Sequence, residues 1–223
     1  MQIRGLMTVG AIVAGSLFAQ AQGGMGMNAL WMKYQDKLSP VQDYSATVVM
    51  DAGGRTMTSK MFKLGKKTRM EVNMEGMPMQ VISIMDLDAE DGKGVAYTLM
   101  PAMKTYMKMP LPQDAAAKAD AKPDIKIEEL GKEDVDGVSC DKRRVTITPE
   151  GGKPQAMTLW ASAAAKNMPV KLAVADGPGA TVIRFKDYDF KKPSADLFTI
   201  PDGYTASDMG RMMRNAQPPA RKE

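Results

Sequence analysis

From Tyr44 onward the chain alternates apolar and polar residues with a period of two, the signature of β-strands with two unlike faces. In "YSATVVMD" the alternation places Tyr44, Ala46, Val48 and Met50 together. In "TRMEVNM" it sets Met70, Val72 and Met74 against Arg69, Glu71 and Asn73. "MKTYMKM" sends Met103, Thr105, Met107 and Met109 one way and Lys104, Tyr106 and Lys108 the other, and "PVKLAVA" groups Val170, Leu172 and Val174. Turn chemistry separates these runs at Gly53-Gly54, Gly65-Lys66, Glu75-Gly76, Asp91-Gly92, Gly151-Gly152 and the cluster from Asp176 to Gly179. The stretch from Tyr44 to Met109 therefore reads as a meander of about six strands.

Other segments follow a helical rather than a strand pattern. "MNALWMKYQDKLSP" predicts an amphipathic helix that Leu38 closes and Pro40 stops. "PLPQDAAAKADAKPD", from Pro110 to Asp124, is alanine-rich and weakly helical, and "SAAAKN" predicts a helical turn or two between strands at Trp160 and Pro169. The expected class is α+β: one long, twisted antiparallel sheet with a few helices. From Thr205 the strand pattern stops, so residues 205–223 are expected to form a flexible tail.

The first residues follow a different pattern. "MQIRGLMTVGAIVAGSLFAQAQ" has a basic start at Arg4, an apolar run from Gly5 to Phe18, and a small-x-small site at Ala19-Gln20-Ala21. These are the parts of a secretory signal peptide, and a run of roughly 14 apolar residues falls short of the ~20 that cross a bilayer. Residues 1–21 are read as a cleaved signal peptide and 22–204 as one domain, expected in the periplasm. The single cysteine, Cys140, allows no internal disulfide. Net charge is +4, or +3 without the segment holding Arg4, and the basic residues are interspersed with acids, which argues against nucleic acid.

Much chemistry is missing. The chain has no histidine, which removes the commonest general base and the usual nucleophilic triads. Cys140, in the strand-like "VDGVSCDKRRV", reads as a small hydrophobe rather than a nucleophile. "DLDAEDGKG" resembles a calcium loop, but its glycine stands at the seventh position and no glutamate stands at the twelfth. Glycine-rich phosphate loops and nucleophile elbows are absent too. No cofactor is called for, and an enzyme is not expected.

What the chain does have is methionine, 22 in all, five of them between Thr68 and Asp86. Three readings compete. Thioethers are soft ligands for Cu(I), and Met25-Gly26-Met27, Met77-Pro78-Met79 and Met107-Lys108-Met109 pair them on one side of an extended chain. Methionine could also simply replace leucine in a core, although so many under-specify packing. Or it could line an adaptable apolar face, since an unbranched, polarizable side chain re-packs around different guests. A ~16-carbon acyl guest represents roughly 10 kcal/mol of gross burial at ~0.8 kcal/mol per CH₂.

The order of the motifs resembles a known family. Arg69-x-Glu71 is followed by a turn with Gly92 and Gly94, a strand with Tyr97, then Pro101, Lys104 and Tyr106. "ADLFTIPDGY" closes the pattern with Phe198, Pro201, Gly203 and Tyr204. Together these resemble the LolA-like superfamily of periplasmic lipoprotein carriers, and Gly137 to Cys140 with Trp160 is similar to its DUF4412 branch. The resemblance implies an incomplete β-barrel: a strongly curved antiparallel sheet whose concave face is covered by helices and receives acyl chains. The expectation is a non-enzymatic, exported lipid- or lipoprotein-binding carrier, monomeric. Its partners would be acyl chains or a lipoprotein lipid anchor, and envelope membrane proteins. The groove lining is assigned to Met70, Val72, Met74, Met77, Met79, Val81, Met107 and Met109. Trp31 either caps the groove or packs in the core, and Arg69 is expected on the outward, polar face. The alternative is a periplasmic protein that binds Cu(I) or buffers oxidants through its methionines.

Overall fold

Alternation governs the architecture. The computed structural model describes residues 38–52, 54–73, 80–89, 94–111, 124–148, 154–174 and 181–207. Six strands fill the first half: β1 (Tyr44–Ala52), β2 (Arg55–Leu64), β3 (Lys67–Asn73), β4 (Gln80–Asp86), β5 (Val95–Met100) and β6 (Thr105–Pro110). The second half supplies β7 (Asp124–Val135), β8 (Val138–Thr148), β9 (Gln155–Ser162), β10 (Met168–Val174) and β11 (Thr181–Asp189). A short β12 (Thr205–Ala206) follows. All twelve belong to one sheet, in the order β12-β6-β5-β4-β3-β2-β1-β11-β10-β9-β8-β7. Each half is a meander, and antiparallel pairing of β1 with β11 joins the two.

The expected α+β class, with helices covering the concave face of an incomplete barrel, is overturned. The sheet is open: its terminal strands, β12 and β7, are not paired with each other. Among the described residues no α-helix appears beyond single helical residues at Leu38 and Ala89, and the other helical turns are the 3-10 segments Pro101–Met103, Ala163–Ala165 and Ala195–Phe198. At "SAAAKN" the predicted helical turn is Ala163–Ala165, where Ser162 Oγ accepts a hydrogen bond from the Ala164 amide (3.2 Å). The strands on either side are long enough to leave room for nothing more. Of the expected helices, residues 27–37 of the first and 112–123 of the second lie outside the described residues, as do the signal segment and Trp31. The described end of the first, Leu38, is helical, while Pro110 and Asp124 belong to β6 and β7. The expected tail also lies outside them from 208 onward, although its first residues, Thr205–Ala206, form β12, and the Ser207 amide donates to the Tyr106 carbonyl (2.7 Å).

Strict alternation gives the sheet two faces, and bulges correct its phase where it fails. The front face carries Tyr44, Ala46 and Val48 of β1, Val145 and Ile147 of β8, Leu172 of β10, and Ile183 and Phe185 of β11, all within one buried cluster. Beyond Phe185, simple alternation would turn Asp187 into that core. Instead the β1–β11 register slips by one residue, and Asp187 takes a left-handed φ of 52° as a non-glycine residue able to do so. The slip returns Tyr188 to the front, its ring 5.6 Å from Tyr44. A second slip at Gly131 (φ 91°) in β7 moves Val135 to the back, where it packs with Cys140 and Trp160. There Lys142 and Lys171 place their ammonium groups 5.3 and 4.3 Å from the Trp160 ring.

The back of β4–β6 is covered by the C-terminal chain rather than by helices. Leu197, Phe198 and Tyr204 pack on Ile82, Ile84, Leu99, Tyr97 and Tyr106. Arg69 anchors this cover. Its Nη1 donates to the Leu197 carbonyl (2.7 Å), and its Nε donates to Glu71 Oε1 (2.7 Å). Arg69 thus lies opposite Met70 as expected, but buried under the C-terminal segment rather than facing solvent.

Candidate functional site: an uncharged methionine wall

Cross-strand register fixes which side chains share the front. Starting from the β1 core positions, Ala46 stands opposite Met61, and Met61 opposite Met70. Met70 then faces Ser83, Ser83 faces Thr98, and Thr98 faces Met107, giving one continuous row across β2 to β6. A neighbouring row runs Lys63, Thr68, Met85, Ala96, Met109. On the other side Val72 faces Val81, and Met100 faces Thr105. Met50 and Met57 are also direct partners on this face, and Met61, Met157 and Met168 are part of its core.

Ten of the eleven described methionines are therefore on the front, and none is on the back; the eleventh, Met103, sits half-exposed in the turn before β6. A random draw between two faces would not sort them this way. Of the residues assigned to the lining from sequence, Met70, Val72, Val81, Met107 and Met109 come together on this wall. Met74, Met77, Met79 and Trp31 lie outside the described residues. Sequence reasoning missed Met85, Met100, Ser83 and Thr98. The cause is β4: "QVISIMD" is apolar on both faces, with Ile82 and Ile84 buried behind and Val81 and Met85 in front, so its alternation carries no sign.

The front is not uniformly buried. Over β8–β11 and β1 its apolar side chains are almost wholly removed from solvent, with Ile147, Leu172 and Ala46 at 0–2% exposure. Over β3–β6 it is more open: Thr68 and Met107 are buried, but Met70, Val72, Val81, Met85, Met100 and Met109 all keep part of their surface open, and Ser83 is exposed. It is also neutral. The front-facing positions of β3–β6 include no lysine, arginine, aspartate or glutamate, whereas the back of the same strands holds Lys67, Arg69, Glu71, Asp86 and Lys108. The nearest front-face cation, Lys63 of β2, is buried and its ammonium donates to the Gly65 carbonyl.

Such a surface can shelter an apolar guest but offers little for covalent chemistry. Cys140 lies on the back, its thiol donating to the Val138 carbonyl (3.2 Å), and burial pushes its pKa up, away from a reactive thiolate. Among the described residues no three His, Cys, Asp or Glu side chains could share a metal ion, and no helix is long and apolar enough to cross a membrane.

An open, almost wholly antiparallel sheet with a neutral, methionine-lined face places the protein among β-proteins that present an apolar surface. The chain belongs to the family described as "Domain of unknown function (DUF4412)", whose model matches residues 45–166, more than half its length. No curated protein matches it in sequence. Solved structures to which it is similar include LprF from Mycobacterium bovis, at 14% identity over 80% of this chain and 96% of that one, TM-score 0.39. The lipoprotein LppX from Mycobacterium tuberculosis aligns at 11% identity over 76% and 98%, TM-score 0.44. A LolA superfamily protein from Nitrosomonas europaea aligns at 10% identity over 77% and 96%, TM-score 0.35. At such identities and TM-scores these similarities transfer no function.

Proposed function

We propose that this is a non-enzymatic, exported lipid-binding protein that holds acyl chains, or the lipid anchor of a lipoprotein, against the front of β3–β6. The observation that carries the reading is the sorting of the methionines: ten of the eleven described share one face, and where that face is free of charge all of them but the buried Met107 stay partly open. A core needs no such opening, and a guest does. Thioether side chains can re-pack around chains of different length and unsaturation, which suits a carrier. Each CH₂ taken from water is worth about 0.8 kcal/mol, so even partial coverage of one acyl chain gives useful affinity. Export through a cleaved signal peptide at residues 1–21, and a periplasmic location, belong to the same proposal.

A second reading has one observation in its favour. Met50 faces Met57 and Met61 faces Met70, so pairs of sulfurs stand side by side, as Cu(I) binding or sacrificial oxidation would use them. Native mass spectrometry of the freshly purified protein separates the two: co-purifying lipid masses support the first, and Cu(I) adducts support the second. Replacing Met70, Met85, Met107 and Met109 by leucine sharpens the test. Lipid uptake survives that change if the face acts through its apolar area, and is lost along with Cu(I) uptake if sulfur itself is required.

A further inference from the structure

The neutral wall carries a polar inlay at its centre. Ser83 and Thr98 are direct cross-strand partners, so their β-carbons lie about 5 Å apart on the same side of the sheet. Met70 and Met107 flank the pair along its row, and Met85 and Met100 stand diagonally on either side. Neither hydroxyl has a hydrogen-bond partner among the described residues. On the reverse of the same two strands the positions are filled by Ile82, Ile84 and Leu99, all buried. Two unused hydroxyl donors thus sit side by side within a field of thioethers.

We infer that Ser83 and Thr98 are the specificity-determining residues of the site, and that they select a neutral, ester-linked acyl lipid over a free fatty acid. This rests on the lipid-binding reading above. An ionised carboxylate laid on this face would lose water without meeting a cation, since β3–β6 present none in front and Lys63 is already bonded to a carbonyl. An ester carbonyl is different: it is uncharged, needs only one donor, and gains most from a hydrogen bond made among apolar neighbours. Two adjacent hydroxyls match two ester carbonyls on one glycerol backbone, with the acyl chains running outward over the methionines. Each hydroxyl then acts as an O–H donor to a carbonyl oxygen.

The test uses the protein purified as the full mature chain, a fluorescent diacylglycerol as reporter, and three competitors: dioleoylglycerol, its ether-linked analogue without carbonyls, and oleate at pH 8. The ester is expected to compete at least tenfold better than the ether, and oleate worst of all, since each neutral hydrogen bond contributes a factor of about five. Ser83→Ala and Thr98→Val should each reduce ester affinity about fivefold and leave ether affinity unchanged. Equal competition by ester and ether, undiminished ester preference in the double variant, or oleate binding as tightly as the ester overturns the inference while leaving the lipid reading intact. If none of the three competes and the reporter itself does not bind, the lipid reading falls and this inference with it. Ser83→Ala alone, at an exposed position, suffices should Thr98→Val fold poorly.

Discussion

The front face changes character between its two ends. Over β8–β11 and β1 it is a closed core: Ile147, Leu172, Ala46 and Tyr44 are sealed, and Tyr44, Phe185, Tyr188 and Phe190 stack in an aromatic group. Over β3–β6 the same face is methionine with an inlay of hydroxyls, and apart from Thr68 and Met107 its side chains keep part of their surface open. The back face reverses the pattern, with a covered core behind β4–β6. The sheet therefore obtains its stability in front at one end and behind at the other. Where the core lies behind, the front is released from packing duty and is free to meet a guest.

Substitutions can break this comparison. The largest effects belong to the sealed positions. Leu172→Ala in front and Phe198→Ala behind should each cost about 2–5 kcal/mol in urea unfolding, since both leave cavities that a rigid sheet fills poorly. Comparable losses on trimming Met85→Ala would make the open end an ordinary core. That change should cost under ~1.5 kcal/mol, because a half-exposed side chain leaves a site that water can enter. Arg69→Met comes next. It leaves the Leu197 carbonyl and Glu71 without their donor, for about 1–3 kcal/mol, and should expose the C-terminal segment to limited proteolysis before the rest of the chain.

The pH response probes the closed end alone. Tyr188 is partly buried with its hydroxyl donating to the Pro169 carbonyl (2.6 Å), and loss of solvent around it pushes its pKa above the ordinary tyrosine value. The folded chain then keeps this proton at pH values where the unfolded chain has released it. Its contribution to stability is whole below about pH 10 and declines as pH rises beyond, at a limiting slope of about 1.4 kcal/mol per pH unit. Tyr188→Phe should flatten that alkaline decline relative to the parent in urea melts between pH 8 and 11. The smallest effect expected on stability is at Met85→Lys, within about 1 kcal/mol, yet the same change should abolish lipid uptake because it puts a charge on a neutral wall.

Much of the first half was legible from alternation alone. The six strands from Tyr44 to Met109, the shared face of Tyr44, Ala46, Val48 and Met50, and the opposition of Arg69 to Met70 all follow from a period of two. Three things were not. The covering of the sheet was assigned to helices, because a resemblance and alanine-rich stretches pointed to them, whereas the back of β4–β6 is sheltered by the C-terminal segment around the one-turn 3-10 stretch Ala195–Phe198. Phase shifts at Asp187 and Gly131 are set by which residue can adopt a left-handed backbone, a property that hydrophobic pattern does not encode. And Ser83 with Thr98 became visible only through register, since the two residues are brought opposite one another by a hairpin and not by any local motif.

The central claim is that a guest lies over β3–β6 and nowhere else. Carbon-13 labelling of the methionine methyl groups, followed by NMR titration with dioleoylglycerol in a delivery vesicle, reads this directly. The account expects the signals of Met70, Met85, Met100, Met107 and Met109 to shift together, while Met157 and Met168 in the closed core and Met103 in its turn stay in place. Saturable lipid uptake with those five signals unmoved, or with Met157 and Met168 moving instead, would contradict it.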